Sequence, residues 1–133
     1  MKLQNLIEQG YQTRNDLNCA EAILKGANDA YDLGLNEQTI RLAAGFGGGM
    51  GVEKACGVVT GMAMVLSSMY AKERGHTSPE MKEKIKRAIE KFESQYQSTD
   101  CRCLKAKHRD EKTGCHGLIL AGGKILDEIV EAE

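Results

Sequence analysis

Four of the five cysteines in this chain stand at the predicted starts of helices, where a thiol is easiest to ionise. They are Cys19, Cys56, Cys101 and Cys115. Unpaired backbone N–H groups and the positive end of the helix dipole both favour a thiolate over a thiol at such positions. If the four helix starts converge, their sulfurs could exchange disulfides or bind a metal. The cysteine positions therefore predict reactive sulfur chemistry.

A glycine-rich segment precedes Cys56. Residues 45–51 read Gly-Phe-Gly-Gly-Gly-Met-Gly, which gives five glycines in seven residues. Such a backbone adopts positive φ easily and can approach another group closely. The candidate cofactor-binding glycines are Gly47, Gly48, Gly49, Gly51 and Gly57. A phosphate cradle is one interpretation of this loop. It is less favoured, because the loop follows a predicted helix and no Gly-Lys-Ser/Thr closes it.

The elements that must position these residues are all predicted to be helices. Asn18 and Asn36 are good N-caps, and Ser78-Pro79-Glu80 is a typical helix start. Apolar spacing and capping residues predict helices at about residues 2–14, 19–33, 37–44, 56–74 and 79–97, a further helix start at or beside Cys101, and a last helix from residue 115 onward. The helix that starts at Cys56 is apolar nearly all round, which predicts a central position. We expect one all-α domain over residues 1–133, a bundle of about five to seven helices around this central helix.

Several local expectations follow from the same patterns. Gly57 and Gly61 lie four residues apart on the central helix, which favours close packing through small residues. Segment 105–112 is basic and polar and is predicted to be a loop. The charged residues of helix 79–97 are predicted to face solvent. Gly122 and Gly123 are expected to weaken the last helix in its middle.

Composition narrows the function classes. The chain has 133 residues and a net charge of −1, which gives no electrostatic signature for nucleic acid or an anionic membrane. The N-terminal residues lack the apolar run of a signal peptide, and the longest apolar segment is too short to span a bilayer. Five cysteines without an export signal disfavour a secreted disulfide framework. We therefore expect a cytoplasmic protein that neither binds nucleic acid nor inserts into a membrane.

At these positions the sequence resembles the C_GCAxxG_C_C family, small redox-active proteins with four characteristic cysteines. Asn18-Cys19-Ala20 is similar to the first motif, and the glycine-rich segment 45–51 to the family's glycine loop. Cys56-Gly57-Val58-Val59-Thr60-Gly61 is similar to the central motif, with Val58 where the family has alanine. Cys101-Arg102-Cys103-Leu104 is similar to the third motif, and Cys115 takes the fourth place. Cys103 is then the extra cysteine.

The resemblance implies a redox role but names no substrate. A similar module occurs in the split-Soret cytochromes, which join haem binding to an iron–sulfur centre, so the resemblance makes a cluster plausible here. Covalent haem is not expected, because the chain has no Cys-x-x-Cys-His.

The sequence favours two functions almost equally, with thiol chemistry slightly ahead. In the first, a thiol-based oxidoreductase, Cys56 is the expected nucleophile, and Cys19, Cys101 or Cys115 resolves the mixed disulfide. In the second, the same four thiolates hold an iron–sulfur cluster or another metal for electron transfer or sensing. Nearby cations could stabilise thiolate, namely Lys54, Arg102, Lys105, Lys107 and Arg109.

Three further expectations concern a zinc site, a redox partner and self-association. A less favoured zinc site would use the segment that contains Cys101, Cys103, His108, Cys115 and His116. The partner would be a redox protein or a small-molecule oxidant or reductant. Any of the six methionines left exposed would suit a homodimer surface.

Overall fold

The computed structural model describes residues 1–132, and these contain helices and no strand, so the all-α expectation is confirmed. The eight α-helices are α1 Leu3–Glu8, α2 Tyr11–Arg14, α3 Cys19–Tyr31, α4 Glu37–Ile40, α5 Gly57–Tyr70, α6 Pro79–Tyr96, α7 Cys101–His108 and α8 His116–Glu131. Short 3₁₀ helices cover Arg41–Phe46 and Gly75–Thr77, and a tight turn covers Gly49–Glu53. None of the helices in this part of the chain has the length and apolarity needed to cross a bilayer.

Helix α5 lies at the centre of the bundle, as its apolar sequence predicts. It packs against α3, α6 and α8. Its buried side chains include Val58, Met62, Val65 and Leu66, each with no exposed surface. The helix ends at Tyr70, four residues before the predicted end, and the chain is extended at Ala71. One hydrophobic core therefore surrounds α5 and joins the helices before and after it.

Glycines let the neighbouring helices come close to α5. A Cβ atom on Gly61 would lie 2.9 Å from the Cβ of Ile23 on α3, so the predicted packing through small residues is confirmed. On α8, a Cβ on Gly122 would overlap a Val58 methyl group. A Cβ on Gly123 would meet the Ile7 side chain at 2.8 Å. The two α8 glycines therefore allow the helix to dock, and α8 runs through them without a break.

Two boundaries differ from the sequence prediction. The first predicted helix is split into α1 and α2, because Gly10 adopts a left-handed φ of +85° between them. The predicted loop at residues 105–112 is wrong over its first half, since α7 continues to His108. The split of the first helix brings the number of α-helices in residues 1–132 to eight, and the second difference lengthens α7.

Helix α6 starts at Pro79 as predicted, but two of its residues behave differently from expectation. The Ser78 hydroxyl does not cap α6; it accepts a hydrogen bond from the Lys72 amide at 2.8 Å and donates one to the Arg74 carbonyl at 2.7 Å. Lys84 is buried, with its amine 4.7 Å from the centre of the Tyr70 ring. The expectation of a fully solvated charged face is therefore wrong at Lys84, whose long apolar stem tolerates burial.

A buried carboxylate fastens α1 to α8. Asp127 on α8 accepts hydrogen bonds from the backbone amides of Leu3 and Gln4, at 2.8 and 2.9 Å, and from the Tyr31 hydroxyl at 2.6 Å. Asp127 is only 2% exposed. The carboxylate thereby satisfies free amides in the first turn of α1, where negative charge is favoured. It holds three separate elements of the bundle together.

Candidate functional site

The four cysteines at helix starts line one cavity of about 240 Å³. Cys19 is the first residue of α3 and Cys101 the first of α7. Cys56 and Cys115 each precede the first residue of a helix, α5 and α8 respectively. Four helix starts that are far apart in sequence therefore converge. Cys103 does not line the cavity and is exposed.

Cys19 is held by the cap of α3. The Asn18 side chain accepts a hydrogen bond from the Glu21 amide at 2.9 Å, and the Glu21 carboxylate accepts one from the Asn18 amide at 3.0 Å. This reciprocal pair is a capping box. Asn18 also donates through Nδ2 to the Ala44 carbonyl at 3.1 Å. One residue thus sets the start of α3 and ties it to the segment that leads into the glycine loop.

Cys56 and Cys101 are placed by two short segments that pair side by side. The Cys56 amide donates to the Thr99 carbonyl at 2.8 Å, and the Cys101 amide donates to the Lys54 carbonyl at 2.5 Å. These bonds cross about 45 residues of sequence, so local pattern gives no sign of them. They bring the start of α7 beside the start of α5.

Cys115 is positioned by a tight turn between α7 and α8. Asp110 and Gly114 exchange two backbone hydrogen bonds of 2.8 Å, and the Asp110 carboxylate accepts from the Lys112 amide at 2.7 Å. Gly114 has a φ of +61°, which glycine adopts without strain. The turn returns the chain to the cavity directly after Arg109, so the Cys115 sulfur lies near the basic end of α7.

Cys19 and Cys115 form the electrostatically distinct pair of the site. Their side chains are hydrogen-bonded to each other, and this contact lowers the pKa of Cys115. Burial opposes the shift, whereas the positive charges of Arg109 and Lys105 assist it, so that the pKa of Cys115 falls to about 6. The pKa of Cys19 is raised by the same hydrogen bond, by burial and by the other cysteines. The interaction therefore makes Cys115 the more acidic thiol of the pair and Cys19 the less acidic one.

Cys56 and Cys101 have raised pKa values. Burial is the main cause at Cys56, which is only 4% exposed, and it outweighs the hydrogen bonds that the Val58 and Val59 amides offer to the sulfur. Burial also raises the pKa of Cys101, with a contribution from Cys115. The amides at the start of α5 lower the pKa of Cys56 as expected, but burial outweighs them and the net shift is upward. A helix terminus stabilises charge by about 0.3 to 1 kcal/mol at exposed sites, less than burial costs here.

At three of the glycines predicted to bind a cofactor, other protein atoms occupy the space beside the backbone. A Cβ on Gly47 would overlap the Asn18 side chain, one on Gly49 would lie 2.8 Å from the Cys101 Cβ, and one on Gly57 would lie 3.1 Å from the Cys19 Cβ. Gly48 and Gly51 have φ values of +62° and +76° and open space around them. The loop therefore lets cysteine-bearing segments approach one another, and Gly48 and Gly57 also line the cavity.

The residues of the less favoured zinc site do not converge. The His108 ring packs edge-on against the Tyr96 ring with centroids 5.0 Å apart, and Cys103 lies outside the cavity. Across residues 1–132, no three His, Cys, Asp or Glu side chains are grouped so that they could hold one metal ion. A zinc ion bound by this segment is therefore not supported. Four thiols around one cavity are nevertheless the usual ligand set of an iron–sulfur cluster, which is larger than a single ion.

The cavity wall also contains residues that sequence reasoning missed or left unassigned. Gln12 of α2 was missed altogether, and its amide donates to the Leu17 carbonyl at 3.2 Å. Leu104 and Leu118 supply apolar wall. Lys105 and Arg109 were noted only as cations near cysteines in sequence. No local signal distinguishes these two from Lys107, which points elsewhere on α7 and does not line the cavity.

Comparison with known proteins gives a family match over most of the chain. The family model described as "Putative redox-active protein (C_GCAxxG_C_C)" matches residues 17–129, a span that contains all four cavity cysteines. No curated protein and no solved structure matches the chain.

Proposed function

Because this chain belongs to the C_GCAxxG_C_C family, described as redox-active, we propose that it performs thiol–disulfide exchange with Cys115 as nucleophile and Cys19 as resolving residue. The observation that carries the proposal is that these two side chains line the same cavity, where their interaction lowers the pKa of Cys115. A nucleophile needs to be thiolate and accessible, and its partner needs to be close enough to form a disulfide. Cys115 and Cys19 meet these needs better than Cys56 does.

The reaction takes two displacement steps. In the first, the Cys115 thiolate attacks one sulfur of a substrate disulfide, forms a mixed disulfide and releases the other half as a thiolate. In the second, Cys19 loses its proton to solvent or to the departing thiolate and attacks the Cys115 sulfur. The Cys19–Cys115 disulfide forms and the second half of the substrate leaves. Two electrons pass from the two cysteines to the substrate disulfide, which becomes two thiols.

The roles of the other cavity cysteines follow from their environment. Cys56 and Cys101 are both less acidic than an ordinary thiol, so they stay protonated while Cys115 reacts. Lys105 and Arg109 stabilise the Cys115 thiolate. In this proposal Cys56 is a buried neighbour of the reacting pair, and Cys103 takes no part.

An iron–sulfur cluster held by Cys19, Cys56, Cys101 and Cys115 is the second candidate. The observation in its favour is that all four thiols line the same cavity, which matches the ligand number of such clusters. A bound cluster would supply one-electron transfer. Cluster binding would require all four thiols to lose their protons, so it would release protons and depend on pH.

Iron and sulfide analysis of untagged protein purified without oxygen separates the two candidates. We expect substoichiometric iron, and after addition of a small disulfide we expect peptide mapping to find a Cys19–Cys115 bond. The Cys115→Ser variant should lose disulfide reduction and Cys103→Ser should keep most of it. Near-stoichiometric iron with sulfide would replace this proposal with the cluster. Loss of activity in Cys103→Ser but not in Cys115→Ser would refute the assignment of the pair.

We also propose that the protein is cytoplasmic. A cytoplasmic location suits a protein that must keep its cysteines reduced between reactions.

We propose in addition that the protein forms a homodimer. A homodimer is supported by exposed apolar side chains around the glycine loop, with Leu42 at 70%, Val52 at 58% and Met50 at 45% exposure. Sedimentation of the wild type and of Leu42→Glu tests the homodimer. A dimer that Leu42→Glu dissociates would support it, and a wild-type monomer at high concentration would refute it.

A further inference from the structure

The residues around the reacting cysteine pair carry charge of one sign. Apart from the Cys115 thiolate, the only formally charged side chains among the lining residues of the cavity are Lys105 and Arg109, and the wall contains no aspartate or glutamate. The two polar amides of the wall are already engaged, since Gln12 donates to the Leu17 carbonyl and Asn18 donates to the Ala44 carbonyl. Recognition of a charged substrate at this wall therefore falls to the two cations.

The two cations are not equivalent. The Lys105 amine lies 3.2 Å from a carboxylate oxygen of Glu53, which neutralises part of its charge. Arg109 is exposed, and no carboxylate within residues 1–132 forms an ion pair with it. A guanidinium binds carboxylates through two parallel hydrogen bonds. Arg109 is thus the stronger anchor for an anionic group at the cavity.

The size of the cavity limits what can enter. Pockets that enclose a drug-sized ligand have volumes of roughly 300 to 1,000 Å³, and this one is smaller, at about 240 Å³. It accommodates a short aliphatic disulfide or one arm of a longer molecule. The apolar side chains of Leu104 and Leu118 in the wall suit the methylene groups of such an arm.

We propose that the substrates of this site are small disulfides whose arms carry carboxylates, selected by Arg109 with support from Lys105. This inference rests on the proposed function, because it names the substrate class for the Cys115–Cys19 pair. The carboxylate of one arm binds the guanidinium while the disulfide faces the Cys115 sulfur. Attack then proceeds by the two displacements already described, and the anionic thiols leave.

The test compares three aliphatic disulfides of similar size: dithiodipropionate, which is anionic, hydroxyethyl disulfide, which is neutral, and cystamine, which is cationic. Rates are measured at low ionic strength by mapping the Cys19–Cys115 bond with time. Each rate is divided by the rate at which mercaptoethanol reduces the same disulfide, and this ratio cancels differences among the leaving thiols. Dividing again by the neutral probe cancels any change in the thiolate fraction of Cys115.

On this scale the wild type should prefer the anionic over the cationic probe by a factor on the order of ten or more. Arg109→Gln should lose most of that preference and Lys105→Gln a smaller part, and added salt should reduce it in the wild type. Lys107→Gln is the matched control, because it removes one positive charge from the same helix outside the cavity, and it should keep the preference.

The outcomes separate the two proposals. Reaction with all three probes at the same normalised rate, or a preference that Arg109→Gln leaves intact, would overturn the substrate class and leave the thiol pair standing. Failure to react with any probe would overturn the proposed function itself. Circular dichroism melting of each variant confirms that a lost preference belongs to a folded protein.

Discussion

The side chains of Cys19 and Cys115 interact in one cavity although 96 residues separate them, and the interaction raises the pKa of Cys19 and lowers that of Cys115. Cys19 is the more deeply buried partner and the less acidic one, whereas Cys115 lies near Arg109 and Lys105 and is the more acidic. Each helix start contributes only weakly to this difference. The contact between the two sulfurs, with cations on one side of it, creates one acidic thiol among four cavity cysteines.

The pH dependence of alkylation tests this assignment. Because its pKa is lowered to about 6, Cys115 is protonated and slow below that pH and becomes a thiolate as the pH rises through it. We expect its reaction with iodoacetamide to rise with a midpoint of about 6, while Cys56 reacts only at higher pH because its pKa is raised. Peptide mass spectrometry gives the rate at each site.

The Cys19→Ala variant removes the hydrogen bond that stabilises the thiolate. The Cys115 midpoint should then move upward by about one to two pH units, with Cys103→Ser as a control that leaves it in place. An unchanged midpoint in Cys19→Ala would show that Arg109 and Lys105 alone set the acidity.

Two glycines of the loop make a matched pair for testing how it supports the cavity. Both have left-handed φ, so alanine at either position costs about 1 to 2 kcal/mol from the backbone. Gly51 has open space around it, whereas a Cβ on Gly49 would lie 2.5 Å from the Lys54 amide nitrogen and 2.8 Å from the Cys101 Cβ. Gly49→Ala should therefore be the more destabilising change, and it should also alter Cys101 reactivity. Urea unfolding and site-resolved alkylation measure the two effects; equal losses of stability would contradict the close contact.

The packing of α8 on α5 predicts a large effect at Gly122. A methyl group there would overlap the Val58 side chain, and forced overpacking of a core costs about 1 to 3 kcal/mol. Gly117 lies on the same helix with nothing within 4 Å of a new Cβ. Gly117→Ala should be neutral or stabilise by up to about 1 kcal/mol, through better helix propensity. Thermal unfolding compares the two, and a neutral Gly122→Ala would mean that α8 shifts without cost.

The buried carboxylate of Asp127 should contribute strongly to stability. Asp127→Asn replaces a charged acceptor of three strong hydrogen bonds, so we expect a loss of about 2 to 3 kcal/mol in the free energy of unfolding. Tyr31→Phe removes one of the donors and should cost about 1 kcal/mol. The control is Glu131→Gln, whose exposed contact with Lys2 at 3.8 Å is worth less than about 0.5 kcal/mol. Chemical denaturation ranks the three variants, and an Asp127→Asn protein as stable as the control would contradict the argument.

Much of the fold was predictable because its signals are local. Asn18 and Asn36 cap the helices that they were expected to cap, and the apolar run after Cys56 forms the central helix. The family motifs and the helix-start positions of four cysteines also come from residues adjacent in sequence. The prediction fails where a side chain forms hydrogen bonds outside its own helix. Ser78, a predicted cap of α6, instead bonds to the backbone of Lys72 and Arg74.

The sequence by itself determined that the chain is helical, that it belongs with four-cysteine redox proteins, and which four thiols stand at helix starts. Only the tertiary structure decided that Cys115 is the acidic thiol, that Cys19 is its partner and that Cys56 is held as a neutral thiol. Helix propensity and capping depend on neighbours within a few residues, whereas a pKa depends on burial and on charges brought close by the fold. The burial of Cys56 and the approach of Arg109 to Cys115 exist only after distant helices have packed.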